Sequence, residues 1–533
     1  MEEKMKKTLS FLVVILVFVF AVSCGGGKND ENGPDDTDSV DDTDAADSDT
    51  DADTTPENPD SEKPDSGDSE SGDDADSGDS ESDDDSDSGD SESENDDEIK
   101  DVDIIGRYAD NWGGSHIISK TAWFDPSKDG DALFHIKTFE KDFIIAQNDE
   151  NNAWNPEKWS RFDFFGKGDK IYFCQIAFDK ETEADALSVT TADKTDLKAG
   201  CAGFGWTELI EVVEEGIDKD DEKIVAWATG YKDYTVGANV NENWKTPEKA
   251  LGKAVGDSYD VVVLGDGGSI VLTFDRPIVD EDGADFAVFE NSISDTFLEL
   301  GTVEVSSDGK NFVSFDNYYL GSEEVTSFGG HDARLIWGFA GKFKQGVGTM
   351  FDLAELAEKS EVVDGTVDLK AITHVKIVDV IGDGKQLDSI GDPVYDPYPT
   401  EQSAGFDLDA VAVINEMAKK EFEIEITGKY TDGYATHTIS NSDWIMGDSV
   451  FHFTKYDKEN NFMIAYNAGS NQWNPGLWSR FDYTEKDDEL YYCQITYDAA
   501  TAEAAEAVTA ADRTDLGAGC NGFYWSKLTE ESE

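Results

Sequence analysis

The sequence predicts an all-β protein: a central β-sandwich flanked by two homologous small, disulfide-bonded, β-rich modules, all behind a disordered acidic linker. Three observations predict it. One segment occurs twice, at residues 105–209 and 427–528. Apolar and polar residues alternate with period two in short runs such as Ala132-Leu133-Phe134-His135-Ile136, the pattern of half-buried strands. Cys174 and Cys201 stand 27 apart in the first copy, as do Cys493 and Cys520 in the second.

The chain begins Met-Glu-Glu-Lys-Met-Lys-Lys and continues in an apolar run from Leu9 to Val22. A basic start before a short apolar run is a secretory signal, and the run falls short of the roughly 20 apolar residues a membrane span needs. It ends in Ala21-Val22-Ser23-Cys24, which resembles the lipobox of bacterial lipoproteins, with Ala21 where leucine is usual. That resemblance implies a signal peptide over residues 1–23 and a lipid on Cys24. The alternative is an ordinary signal peptide with an incidental cysteine. Gly25, rather than Asp, after the cysteine points to the outer membrane by analogy with Gram-negative lipoproteins.

Residues 24–98 form the linker. From 28 to 98 there are 33 Asp and Glu against Lys28 and Lys63. Such a segment buries nothing and is extended by self-repulsion. Asp-Ser-Gly-Asp-Ser-Glu-Ser begins at Asp65, Asp76 and Asp87, a spacing expected of linker expansion; it lacks the glycine pattern of calcium-binding repeats. The linker carries less than half of the net charge of −76, so the body is acidic too. That argues against nucleic acid as a partner.

The copies, placed at 99–210 and 424–528, are expected to be small sandwiches or barrels with one helix each, at Thr182–Ala192 and Ala500–Ala511. The matched spacing pairs Cys174 with Cys201 and Cys493 with Cys520. His116 and His437 match, as do His135 and His452; packing in the sheet beside Asp110 or Asp432 is preferred to a metal pair, since no other cluster has ligand spacing. Trp154-Asn155-Pro156-x-x-Trp159-Ser160-Arg161-Phe162-Asp163 recurs as Trp473-Asn474-Pro475-x-x-Trp478-Ser479-Arg480-Phe481-Asp482. Asn-Pro favours a turn. The turn brings a tryptophan toward a loop beside Asn155, Arg161 and Asp163, or Asn474, Arg480 and Asp482. A ring covering the apolar face of a sugar, with polar groups for its hydroxyls, is the chemistry this suggests. Core packing of the rings and a structural Arg–Asp ion pair are the alternatives.

Residues 224–418 contain short strands between Gly and Asp turns, a β-sandwich pattern. Leu251-Gly252, the run Val263–Leu272, Asp285-Phe286-x-Val288-Phe289-Glu290-Asn291, Val303-x-Val305-Ser306-x-Asp308-Gly309 and Gly405–Val411 resemble a family of bacterial cell surface proteins. The resemblance implies a jelly-roll similar to discoidin and carbohydrate-binding modules, and a surface location. Closely spaced Asp280, Asp282 and Asp285 around Gly283 suit calcium, a hard ion that takes oxygen ligands. Asp407 and Asp409 share a strand face and are expected to join that site with Glu290 or Asn291; Asp352 is a weaker candidate. A solvated acidic turn is the alternative.

No catalytic triad, zinc signature or cofactor fingerprint appears in the sequence. The expected function is non-catalytic: a cell-surface lipoprotein, membrane-attached through its lipid, that binds an extracellular ligand, carbohydrate first and another surface protein second. A structural or adhesive component without a small-molecule site is one alternative. A carboxylate-dependent glycoside hydrolase is another.

Overall fold

A computed structural model describes residues 98–127 and 130–531, which fall in one compact unit. The signal segment, Cys24 and the linker up to Asp97 lie outside the described residues. Among the described residues no helix is long and apolar enough to cross a membrane.

Each copy closes into an antiparallel barrel. In the first, the strands Gly106–Asp110, Ser115–Ile118, Ala122–Asp125, Ala132–Phe139, Phe143–Asn148, Trp159–Lys167, Lys170–Lys180 and Thr207–Glu211 pair in chain order, and the last pairs back with the first. Ile99–Lys100 pairs antiparallel with the end of Trp159–Lys167, at Gly166 and Lys167. The second barrel runs from Gly428–Thr431 to Ser526–Glu530 in the same order. Period-two alternation sorts the walls. Phe162 and Phe164 fill the first barrel with Trp123, Phe134 and Ile144. Phe165 faces outward and packs with Cys174, Ala192 and Trp206 under the long connection that follows Lys180.

That connection is less helical than its sequence suggests. The helices span only Glu183–Leu187 and Ala502–Ala507, capped by the side chains of Thr182 and Thr501. Beyond Leu187 the backbone is drawn to the barrel wall. Arg161 donates to the carbonyls of Leu187 and Val189, and Asp163 accepts from the amide of Ala192. The β-branched run Val189-Thr190-Thr191 disfavours helix as well. The Cys174–Cys201 and Cys493–Cys520 disulfides fasten the far ends of the two connections. Gly200 and Gly519 form a corner with no room for a side chain: a Cβ at either would lie 2.0 Å from the carbonyl oxygen of Asp193 or Asp512.

Between the barrels lies the expected two-sheet antiparallel sandwich. One sheet is built on Val347–Phe351, Phe286–Glu290 and Asp407–Val413, with Ile217–Asp218 at one edge and Ala226–Trp227 and Val262–Val263 beyond the other. The other sheet orders Gly230–Thr235, Ser269–Ile278, Ile372–Asp379, Gly301–Ser306 and Val313–Ser314. Leu272, Phe274, Val303, Val375 and Ile377 meet Phe286, Phe351 and Val411 in the core.

The barrels dock on the sandwich by different surfaces. In the first, Ile117 packs on Leu320 and Trp337, and Arg107 lies 5.0 Å over the Trp337 ring. Ser119 and Thr121 donate to the Asp392 carboxylate. In the second, the amide of Gly469 and the hydroxyl of Tyr466 both donate to the Phe274 carbonyl, at 2.9 and 3.0 Å.

Candidate functional site

The Trp-Asn-Pro segment forms the loop after Phe143–Asn148 in one barrel and after Phe462–Asn467 in the other. Asn155 and Asn474 take left-handed backbone conformations, φ 50° and 51°, which asparagine tolerates better than most residues. The turn lifts its first tryptophan off the barrel. Trp154 is 74% exposed and Trp473 is 73% exposed. Such rings in matched loops are a departure from the buried tryptophans of the same barrels: Trp123 and Trp444 are wholly inside.

A buried polar chain supports each exposed ring. Asn148 donates to the carbonyls of Asn155 and Phe178, at 2.8 and 3.1 Å. It accepts from Ser160, which accepts from the Gln175 side-chain amide. The second barrel repeats this with Asn467, Asn474, Tyr497, Ser479 and Gln494. There Trp473, Asn474, Gln494, Asn467, Tyr497 and Phe451 line a cavity of about 360 Å³. Tyr497 and Phe178 are themselves about half exposed. In the second barrel the arrangement offers two rings, Trp473 from the loop and Tyr497 from the strand beside it, with amide groups between them.

The remaining residues of the motif have other places. Trp478 is buried against Tyr466, and Trp159 is half-buried. Arg161 and Asp163 lie under the long connection, 4% and 0% exposed, and pair at 2.7 Å; Arg480 and Asp482 do the same at 3.0 Å. They are sited to fasten that connection, away from solvent. No sequence motif marks Phe178 or Tyr497. A bulge at Ile176 and Ile495 breaks the alternation, so that Gln494 and Tyr497, three apart, line one cavity.

The four matched histidines of the barrels pair with carboxylates. His116 lies 2.6 Å from Asp125 and 3.3 Å from Asp110, and His437 lies 3.4 Å from Asp432. His135 bonds Asp149 at 2.8 Å and His452 bonds Asp443 at 2.6 Å. Burial lowers the His116 pKa, but Asp125 and Asp110 outweigh it and raise it overall. In His437 burial wins, since Met446 occupies the place of Asp125.

The carboxylates proposed for calcium do not gather in one place. Asp280 and Asp285 meet Asp352 within 4.8 Å, while Asp282 is exposed. Both oxygens of Asp285 already accept hydrogen bonds, from Glu281 and Asn415 on one and Leu353 on the other. Glu290 is at the far end of the strand that follows, about 16 Å away at strand rise. Asp409 accepts from the amides of Val255 and Gly256.

Glu290 and Asp407 belong instead to a buried acidic group at that far end. Glu299, Asp379 and Asp396 join them, and all five are at most 8% exposed. Burial raises the pKa of Glu290, Glu299, Asp396 and Asp407 well above the ordinary carboxylate range, and pushes Asp379 up to about 7. Asp407 and Glu299 lie in the wall of a cavity of about 640 Å³, with Asn291, Trp244, Tyr259 and Phe328. Phe328 is 94% exposed.

No protein-family model matches the sequence, and a search of curated proteins finds no match. Among solved structures a glycoside hydrolase is similar over 58% of this chain and 69% of its own, at 9% identity and a TM-score of 0.16. A likeness of that degree carries no argument about fold or activity.

Proposed function

We propose that the protein is a non-catalytic, lipid-anchored cell-surface protein whose two barrels bind carbohydrate. The observation that carries this is the repeated platform: Trp154 and Trp473 are exposed on matched loops, each loop held by the same buried Asn–Ser–Gln chain, and Trp473 lines one cavity with Tyr497. A large exposed ring with polar groups beside it gives a sugar an apolar surface and hydrogen-bonding partners together. The anchoring part of the proposal rests on Cys24. Four of the five cysteines are consumed in disulfides, which leaves Cys24 to the lipobox reading. The resemblance of residues 224–418 to cell surface proteins supports a surface location, and Gly25 after the cysteine supports the outer membrane.

The test is a glycan array probed with the purified protein and with the double variant Trp154→Ala/Trp473→Ala. The expected result is binding to a defined set of polysaccharides that the double variant loses. A double variant that binds the same glycans with equal strength would overturn the proposal.

A further inference from the structure

Each barrel carries a second set of exposed rings, apart from its Trp-Asn-Pro loop. Trp112 and Tyr434 sit at the tips of matched hairpins and are 79% and 88% exposed. Phe204 and Phe523 stand three residues after Cys201 and Cys520 and are 70% and 72% exposed. Tyr524, next to Phe523, is exposed as well. One exposed ring on a protein surface needs no explanation. Rings exposed at the same two positions in both copies of a duplicated module are a pattern.

The topology puts this set at the same end of the barrel as the platform. Eight antiparallel strands that pair in chain order send alternate connections to opposite ends. Counted from Gly106–Asp110, Trp112 lies on the first connection, Trp154 on the fifth and Phe204 on the seventh, so all three belong to one end. Phe178, near the close of the seventh strand Lys170–Lys180, belongs there too. Tyr434, Trp473, Tyr497 and Phe523 are placed likewise in the second barrel. The register sets the levels. Phe173 pairs with Thr207, where the last strand starts, whereas Trp159, where the Trp-Asn-Pro loop ends, pairs with Lys180. The two sets are therefore staggered along the barrel axis, by a distance on the order of 10–20 Å at strand rise. Asn111 Oδ1 accepts from the Glu208 amide at 2.9 Å, which ties the Trp112 tip to the strand that Phe204 precedes. In the second barrel the hydroxyls of Tyr434 and Tyr524 hydrogen-bond to each other.

We propose that the ring-bearing end of each barrel is an extended binding surface for a neutral polysaccharide chain, with the hairpin tip and the disulfide corner forming a second subsite in addition to the Trp-Asn-Pro platform. This rests on the reading of the barrels as carbohydrate binders, and narrows their ligand from a sugar to a polymer. Rings staggered this far exceed the reach of one sugar residue, whereas a chain meets both sets. The second contact on a chain already held costs little further freedom of motion. A protein of net charge −76 repels anionic chains, which leaves the neutral ones.

The test runs the purified protein in native gels that contain galactomannan, β-glucan, arabinoxylan or dextran, with alginate as the anionic polymer. The polymer that retards it is then titrated as its oligosaccharides, from disaccharide to hexasaccharide, by isothermal titration calorimetry. The expected result is retardation by a neutral polymer and affinity that rises with chain length. In Trp112→Ala/Tyr434→Ala and in Phe204→Ala/Phe523→Ala, hexasaccharide affinity is expected to fall roughly fivefold while disaccharide affinity stays at the parent's value. Melting near that of the parent shows that the variants are folded. The inference is overturned if both variants hold the hexasaccharide as tightly as the parent while Trp154→Ala/Trp473→Ala loses it; the platform then stands alone, and the second set serves another partner. Retardation by alginate alone overturns the choice of a neutral chain. A parent protein that none of the polymers retards overturns the carbohydrate reading of the barrels, and this inference with it.

Discussion

Tyr466 Oη donates to the carbonyl oxygen of Phe274 at 3.0 Å, from the wall of the second barrel to a strand of the sandwich. The tyrosine is wholly buried, and in the first barrel its place is taken by Gln147, which is half-buried. This docking side chain is thus present in one copy of the duplicated module only.

The junction depends more on glycine than on that hydroxyl. A Cβ on Gly469 would lie 2.5 Å from the Phe274 amide nitrogen, and one on Gly230 would lie 2.0 Å from the Gly469 carbonyl oxygen. Tyr466→Phe is expected to cost about 1 kcal/mol, since Phe274 keeps the Gly469 amide as a donor. Gly469→Ala is expected to open the junction. Limited proteolysis measures it: cleavage between residues 414 and 427 accelerates strongly in Gly469→Ala and little in Tyr466→Phe.

The platforms make a quantitative claim. Removing one exposed ring takes away a contact of the size of a binding hot spot, at least ~1 kcal/mol and so several-fold in affinity at that barrel. Trp154→Ala and Trp473→Ala each leave one working platform, and together they abolish binding in affinity electrophoresis. Because both rings are exposed, melting is expected to stay near that of the parent.

Arg161 and Asp163 are the reverse case, buried and remote from solvent. Asp163→Ala strands a buried guanidinium and frees the Ala192 amide. Breaking a buried pair on one side costs about 3–5 kcal/mol. Opening the 27-residue disulfide loop is expected to cost each barrel about 3 kcal/mol. Differential scanning calorimetry with and without reductant checks both, with the sandwich transition unmoved.

Asp379 supplies a pH dependence. Burial is the main cause of its raised pKa, ahead of the amides of Gly267 and Phe406 that favour its charge; Asp266 adds repulsion. The folded carboxyl holds its proton to about pH 7, against 3.8 for an ordinary carboxyl. The folded state therefore binds more protons than the unfolded chain in that window, and stability falls as pH rises through it. Asp388, pushed up to about 6, acts the same way. His331 and His374, pushed down to about 4 by burial, act in the opposite sense below their ordinary 6.5. Above that value the carboxyl is unopposed. The melting temperature in chelator is expected to decline between pH 6.5 and 8.

The barrels were legible because the chain shows the same pattern twice. Spacing alone located Cys174–Cys201 and Cys493–Cys520, and the Asn-Pro turn located the exposed rings. Arg161 and Asp163 were legible as a pair but not as a strap, because their partners Leu187, Val189 and Ala192 enter through backbone atoms that no side-chain pattern marks. The bulge at Ile495 hid Tyr497 in the same way. In the sandwich, the number of acidic residues concealed which of them converge. Asp280 and Asp285 are neighbours in sequence and answer to local turns. Glu299 and Asp407 are distant in sequence, and only the fold brings them to one cavity.

The strap of Arg161, Asp163 and a disulfide, matched in the second barrel by Arg480, Asp482 and its own disulfide, bears on resistance to proteolysis. Proteases act on segments that can detach and thread through an active-site cleft, and each long connection here is fastened along its length and at its far end. Its fraying would require a buried charge to lose its partner while a covalent crosslink still holds. A protease therefore meets two barrels whose longest loops are held at both ends.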